Sequence, residues 1–528
     1  MLDTTLASSF DPGSVRKGGF WGANWLFLMP SLDLGRVLCI GPPTTTALAT
    51  LSRHADDVLV ACGDCKQARE VRDLSRNLGL TNIHPFLLDS VDTEAVLPLS
   101  TCDTDLIVMG RFGLQLVDQN SALAAELKSY LKPGGSIYVD YVGRVDGLLK
   151  SMKVFGAPDV YWFTPLFGET RSAVPLLNQK VIRYFLAQEL IDASVTKRWL
   201  APATRMLKTY RALGRPTRER HIEAGQAASV LLAHAPGPAR LTHKPARALA
   251  LNTAFAVKQA VDRAERFLSD KGWISTRYGA VLGQEANGGA VQPPEYLCAL
   301  ARREGVEIEG LGWGLSAPTE YPARKIVFFL FEAEQASPRY IIRLVRDPAY
   351  NARLENENRA LTLLREARAV GPETIPDVAF FGYSRGLAII GQKAIQGMPL
   401  RRLIRRGDDW SHARSVIEWL TGLGAATASF AQTPAPEAAY ILDGLLRRFA
   451  QIYRVEPAYR DFLVRQIDTI ARSSAAFPLV FQHGDCHTGN ILITPAGRAA
   501  FVDWERAEPA GIPLWDLLYF LRNYSSER

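Results

Sequence analysis

Phe481-Gln-His-Gly-Asp-Cys-His-Thr-Gly-Asn490, followed by Ile491-Leu-Ile-Thr-Pro-Ala-Gly-Arg-Ala-Ala-Phe-Val-Asp-Trp-Glu505, decides how the C-terminal part of this chain is read. Residues 491–493 and 500–502 are short apolar runs. Pro495-Ala-Gly497 between them has turn chemistry. The two runs therefore predict an antiparallel hairpin. In a hairpin the start of one strand lies beside the end of the other. Asn490, just before the first run, and Asp503, just after the second, should then meet at the open end.

That meeting brings a carboxamide oxygen and a carboxylate together, both hard oxygen ligands suited to Mg²⁺. Asp485 lies on the loop just before, within reach of the same spot, where it can orient or deprotonate an attacking hydroxyl. An Asp, an Asn five residues on, and a metal-binding Asp after a hairpin is the catalytic arrangement of kinases.

The segment resembles the aminoglycoside phosphotransferase and choline kinase family. The family pattern HGD-x-H-x-G-N with a later Asp-Trp or Asp-Phe stands here as His483-Gly484-Asp485-Cys486-His487-Thr488-Gly489-Asn490 and Asp503-Trp504-Glu505. The resemblance implies a bilobal, protein-kinase-like domain that transfers phosphate from ATP or GTP, with Mg²⁺, to an alcohol group. It implies Asp485 as catalytic base and Asn490 and Asp503 as metal ligands. His483 and His487 would shape the loop, and Asp516 would brace it.

The resemblance extends upstream to about residue 305. Gly310-Leu-Gly-Trp-Gly-Leu-Ser316 precedes the first strand pair, where a Gly-rich turn would lie over phosphates. Gly312 and Gly314 are its cofactor-binding positions, and a plain turn is the alternative. Arg343, mid-strand in Tyr340-Ile-Ile-Arg-Leu-Val345, sits where kinases place a phosphate-pairing Lys. Arginine keeps the charge and forks onto phosphate oxygens. Glu357 in the next helix is its expected partner, with Glu355 as competitor. Ile390-Gly-Gln-Lys-Ala-Ile-Gln-Gly397 resembles the hinge that meets the adenine, which adds Gln392 and Lys393 to the cofactor set. The family continues with more helices beyond the position of Asp516, whereas this sequence stops at Arg528. A minimal C-lobe or a piece of a longer domain is expected.

Residues 35–143 alternate buried-strand and helical patterns, which predicts a parallel α/β sheet. They resemble a class I S-adenosylmethionine methyltransferase through Arg36-Val-Leu-Cys-Ile-Gly41, Leu78-Gly-Leu-Thr-Asn-Ile83 leading to Asp89, Asp105-Leu-Ile-Val, and Leu131-Lys-Pro-Gly-Gly135. The cofactor loop departs from that family. It needs glycines after the first strand so that backbone can approach the cofactor, but Pro42, Pro43, Thr44 and Thr45 follow Gly41. Ala61-Cys62-Gly63 stand where an acidic residue is expected, and Asp64 comes late. A degenerate domain serving as scaffold or binding module is the expectation, with S-adenosylmethionine binding in doubt.

The expected fold class is α/β plus α+β. A methyltransferase-like, Rossmann-like domain covers residues 1–150. A mixed and helical connecting region covers 151–245. It is irregular over 161–175, helical over 177–215, and ends in the Pro- and Gly-rich linker 235–245. The kinase-like domain covers 246–528. It begins with a helix at 249–270 and has an N-lobe at about 300–396 and a C-lobe at about 397–528.

With 528 residues, 47% hydrophobic and 22% charged, the chain fits a globular protein of several domains. A formal charge of +7 is mild for this length and does not point to nucleic acid. Six cysteines are too sparse for a disulfide scaffold. Cys62-Gly-Asp-Cys65 supplies only half a zinc site and reads as small residues at a strand end. The N-terminus lacks a signal-peptide pattern and no apolar run spans a bilayer, so the expected location is the cytoplasm. The aromatic stretch 19–32 reads as packing. Arg401, Arg402, Arg405 and Arg406 form either a solvated basic face or a site for an anionic acceptor, such as an acidic sugar or a phosphorylated carrier. Nothing indicates the oligomeric state. Three functions follow: a small-molecule or carbohydrate kinase with an accessory domain, a bifunctional kinase and methyltransferase, or a non-catalytic assembly protein. The complete Asp485, Asn490 and Asp503 set argues against the last.

Overall fold

Strands that are apolar on both sides need cover on both sides, and the N-terminal strands obtain it as a parallel sheet. A computed structural model describes residues 24–88, 100–143, 145–166, 169–175, 276–283, 291–317, 325–333, 335, 337–406, 410–428, 431–433, 435–473 and 477–527. Arg36–Ile40 (β1), Asp57–Cys62 (β2), Ile83–Leu87 (β3), Thr104–Met109 (β4) and Leu131–Gly143 (β5) run parallel in the order 3-2-1-4-5. Within β1, Val37 and Cys39 enter one core while Leu38 and Ile40 enter another. Thr45–His54 (α1), Cys65–Asn77 (α2), Arg111–Gln119 (α3), Ser121–Tyr130 (α4) and Val145–Met152 (α5) accompany these strands. The order is that of a doubly wound fold, with its switch point between β1 and β4.

Beyond β5 the sheet turns antiparallel. Asp159–Leu166 (β6) and Glu169–Pro175 (β7) form a hairpin, and Thr276–Gly283 (β8) lies between β5 and β6. β7 pairs with Gly312–Ser316 (β9) through Ser172↔Ser316 and Ala173↔Leu315. The sheet then continues through Ile326–Phe331 (β10), Tyr340–Leu344 (β11), Asp377–Ser384 (β12) and Leu387–Lys393 (β13). Among the described residues this is one sheet of 13 strands, ordered 12-13-11-10-9-7-6-8-5-4-1-2-3.

Two local expectations are corrected here. The stretch 161–175, read as irregular, is β6 and β7, because partners from residues 276–283 and 312–316 complete its pairing. The glycine run 310–316 turns only at Gly310, where φ is +75°, and Gly312 and Gly314 lie within β9. The chain divides into two compact units, Met1–Val181 with Thr276–Arg528, and Ile182–Ser275. The second unit lies outside the described residues, as do all of 177–215, the linker 235–245 and the helix 249–270. Asp89 also lies outside them.

The Asn24–Leu28 segment fastens the first unit internally. Trp25 stacks on Tyr138 at 3.9 Å. Asn24 accepts from Arg346 at 2.7 Å and donates to the Ala317 carbonyl at 3.3 Å. The described part of the aromatic stretch is thus core, as read. Among the described residues no helix is long and apolar enough to cross a membrane.

Glu295–Arg303 (α6) packs against β12, and Asn351–Glu366 (α7) against β13. Past Met398–Pro399 (β14) the chain is mainly helical, as expected: Leu400–Arg406 (α8), Ser411–Thr427 (α9), Ala435–Ile452 (α10) and Pro457–Ala471 (α11). Ala431–Thr433 (β15), Phe477–Gln482 (β16) and Glu508–Gly511 (β19) make one small sheet. β14 with Ile491–Ile493 (β17) and Ala499–Phe501 (β18) makes the other. Trp515–Glu527 (α12) closes the lobe. Leu361 and Leu364 of α7 share a core with Val416, Phe501, Trp504 and Phe520.

Candidate active site

The β17–β18 hairpin has the expected form, with Ile491 opposite Phe501 and Ile493 opposite Ala499. The Val502 N–H donates to the Asn490 carbonyl at 3.0 Å, so Asn490 and Asp503 sit at the same open end. The Asn490 amide donates to Asp485, to its carbonyl at 3.1 Å and to Oδ2 at 3.4 Å. The three residues therefore converge.

The loop that carries Asp485 is held from beneath. Asp516, buried in the first turn of α12, accepts from the His483 N–H at 2.6 Å and from the Gly484 N–H at 3.0 Å. His483 is fully buried. Its Nδ1 accepts from the Asp485 N–H at 3.2 Å, which puts the ring proton on Nε2, 3.0 Å from the Val502 carbonyl. Burial pulls its pKa down against the opposing pull of Asp516 and the Val502 carbonyl, so the ring is a neutral spacer. His487 Nδ1 accepts from the Gly489 N–H at 2.9 Å, and Asn523 of α12 accepts from the Thr488 N–H at 2.9 Å. Gly484 has φ of +79° and its α-carbon faces the Arg506 backbone, a place only glycine fits. Asp503 also adopts a left-handed φ, +72°, a strained conformation for a residue with a Cβ.

Cross-strand partners share a face of a sheet. Val327 lies opposite Arg343 and Phe329 opposite Ile341, while Ser316 and Gly314 oppose Val327 and Phe329. Gly312 and Gly314 thus occupy the Arg343 face, while Trp313 and Leu315 are buried on the other. Glycine in a strand leaves room for close approach. Arg343 Nη2 pairs with Glu357 at 2.6 Å, and Nη1 with Asp503 Oδ1 at 3.0 Å. Glu357 Oε1 also accepts from Gln392 at 3.1 Å and from the Trp504 N–H at 3.2 Å. Burial alone would lower the Arg343 pKa, but Glu357, Asp503 and Glu505 together hold it above its usual value. Glu355 instead accepts from the Tyr383 hydroxyl at 2.7 Å. Gln392 bonds Arg343 and Glu357 through its side chain, and Lys393 pairs with Asp377 at 2.7 Å. Neither side chain is thereby left to meet a base.

Sequence reasoning missed two residues. Lys325, at the start of β10, pairs with Asp503 and, at 2.9 Å, with Glu505. Burial pushes the Asp503 carboxyl upward, but Lys325 and Arg343 outweigh it and hold the group well below the usual carboxylate range. Tyr519, an exposed residue of α12, donates to Asp485 Oδ1 at 3.3 Å. Lys325 had one weak signal, the second of two adjacent cations, Arg324 and Lys325, before an apolar strand; its target depends on strand register.

The donor set fits a hard divalent cation. Asn490 uses its amide nitrogen within the loop, and its Oδ1 accepts none of the described hydrogen bonds. Asp503 is ionised and engages Lys325 and Arg343 through Oδ1 alone. Of the arginine cluster, Arg401 pairs with Glu527 at 3.4 Å.

The crevice at the carboxyl ends of β1, β2 and β4 is where an open α/β sheet binds a cofactor. Here the Phe112 ring lies close to Gly41 and Gly63. A Cβ added at Gly63 would come within 2.9 Å of the Phe112 ring, and one at Gly41 within 3.1 Å. Asp64 caps α2 by accepting from the Gln67 N–H at 2.8 Å, and Thr44 caps α1. Both capping side chains are thereby engaged within the protein, and prolines follow Gly41 where an S-adenosylmethionine loop needs glycines.

A family model described as "Phosphotransferase enzyme family" matches residues 327–528. This segment is a phosphotransferase-family domain. The match covers the stretch that holds Arg343, Glu357, Asp485, Asn490 and Asp503, and makes the domain one of kinase type. No curated protein matches the chain. Among solved structures, the chain is similar to YcgJ from Bacillus subtilis at 20% identity, covering 23% of this chain and 50% of that one, TM-score 0.19. It is similar to Haemonchus contortus phosphoethanolamine N-methyltransferase 1 at 22% identity, covering 22% of this chain and 24% of that one, TM-score 0.19. It is similar to WbdD, seen with a kinase inhibitor, at 9% identity, covering 91% of this chain and 72% of that one, TM-score 0.24. The chain spans half the length of the first and about a quarter of the second. Likenesses this distant carry no weight beside the strand order and side chains described above.

Proposed function

We propose that the phosphotransferase-family domain transfers a phosphoryl group from a magnesium-bound nucleotide, ATP or GTP, to a hydroxyl of a small molecule or carbohydrate. The observation that supports this best is the convergence of Asp485, Asn490 and Asp503 at one end of a hairpin, beneath the Arg343–Glu357 pair. Asp485 orients the acceptor hydroxyl and takes its proton; the Asn490 amide and the Tyr519 hydroxyl fix its carboxylate. Asn490 and Asp503 would hold magnesium, which when bound neutralises charge on the phosphates. Arg343 binds phosphate oxygens, and Glu357 holds it in place. Gly312 and Gly314 leave the sheet bare over the cleft. Gln392 and Lys393, whose own backbone is paired on both sides within β13, lead into the 394–397 segment that would meet the base.

The parallel sheet of residues 1–150 acts as a scaffold for the domain that follows, not as a methyltransferase: Pro42 and Pro43 follow Gly41 where the cofactor loop needs glycine, and Phe112 lies against Gly41 and Gly63. The boundaries at 150 and 245, a cytoplasmic location and an acceptor that is anionic are parts of the same proposal.

Asp485→Asn tests the reading. Asn is isosteric and keeps the loop, but cannot take up the proton. Phosphoryl transfer should fall by about 10²–10⁴-fold, the usual contribution of a general base, with nucleotide affinity unchanged. Transfer at the wild-type rate would remove Asp485 from the mechanism.

A further inference from the structure

Lys325 is a buried cation of the cleft for which the phosphotransferase pattern has no place. Its side chain is only 12% exposed, and its ammonium sits between Asp503 and Glu505, itself 10% exposed. Burying an ammonium is costly unless it is paired, and here two carboxylates pair it. One of them, Asp503, is a carboxylate proposed above to hold magnesium. Lys325 and Arg343 already share Asp503 Oδ1, so a divalent cation on the same carboxylate adds a third positive group within a few ångström of the ammonium and repels it. The residue also lies on the nucleotide side of the sheet. By strand alternation Lys325 shares the face of Val327 and Phe329, and Val327 is the cross-strand partner of Arg343.

We propose that Lys325 is an exchangeable counter-ion: it neutralises Asp503 and Glu505 in the metal-free protein, and pairs with the phosphates of the nucleotide once a divalent cation takes Asp503. This rests on the kinase reading of the site. Lys325 is thereby a phosphate-binding residue, and it makes metal and nucleotide bind together. Metal alone must displace the ammonium from Asp503 and leave it Glu505 as its one remaining partner among the described residues. Metal with nucleotide displaces it onto phosphate.

The test uses Lys325→Met in the full chain, with Mn²⁺ as the probe and free Mn²⁺ followed by electron paramagnetic resonance. Nucleotide affinity is measured separately by calorimetry with a non-hydrolysable ATP analogue. The variant should bind Mn²⁺ alone more tightly than wild type, and the Mn²⁺-loaded analogue more weakly, each by on the order of tenfold. A merely structural lysine would weaken both, and a lysine outside the site would change neither; either result overturns the proposal. If Lys325→Met does not fold, amine acylation of the wild-type protein read by mass spectrometry decides. Lys325 should be protected without metal, reactive with Mn²⁺ alone, and protected again with Mn²⁺ and the analogue. Protection throughout would overturn the proposal. Failure of the wild-type protein to bind the Mn²⁺-loaded analogue at all would instead refute the kinase reading on which it rests.

Discussion

Glu357 has no exposed surface, and its Oε1 alone receives Arg343, Gln392 and the Trp504 N–H. Removing its charge leaves the Arg343 guanidinium buried without its main partner. Glu357→Gln should cost about 3–5 kcal/mol of stability, as broken buried pairs do, read from the midpoint of denaturant unfolding. An unchanged midpoint would show that Asp503 alone suffices for Arg343. The choice of Glu357 over Glu355 was legible in the sequence. Glu357 falls three residues after Leu354 and four before Leu361, on the apolar face of α7, whereas Glu355 falls outside it. Asp485, Asn490 and Asp503 were legible for a similar reason: one loop and one hairpin place all three. Lys325 and Tyr519 were not, because they reach the site from β10 and α12, and only tertiary packing says where those elements end.

At the scale of elements, the loop from His483 to Asn490 works because α12 and β18 hold it from two sides. His483 is its pH-sensitive point. Unfolded, the ring takes a proton near pH 6.5; folded, burial holds it neutral to lower pH. The unfolded state therefore binds more protons in that window, and the stability due to His483 is full above about pH 6.5 and lost as pH falls below it. The melting temperature should decline from pH 8 to pH 5.5, and His483→Gln should flatten part of that slope. An identical slope in the variant would assign the decline elsewhere, with His54, whose pKa is also lowered by burial, as the next candidate. Hairpins and amphipathic helices such as β17–β18 and α7 were readable because their patterns are local. β6 and β7 were not: their partners arrive from residues 276–283 and 312–316, and without those partners the aromatic stretch carries no regular period.

Across the molecule, one sheet runs from the parallel N-terminal strands into the phosphotransferase-family domain. The continuity of the sheet was not legible in the sequence, because strand pairing between β7 and β9 leaves no mark on composition. The two proposals differ at their crevices: Phe112 lies against Gly41 and Gly63 in one, and ionised groups line the other. S-adenosylmethionine at millimolar concentration should leave the melting temperature unchanged, and a micromolar dissociation constant by calorimetry would restore the bifunctional reading. The central claim meets its most direct test in nucleotide-dependent stabilisation, since a ligand that binds only the native state raises its apparent stability. Millimolar ATP or GTP with Mg²⁺ should raise the melting temperature of the full chain, and Asp503→Asn should remove most of that rise. No rise in the wild-type protein, or an equal rise in Asp503→Asn, would contradict the account.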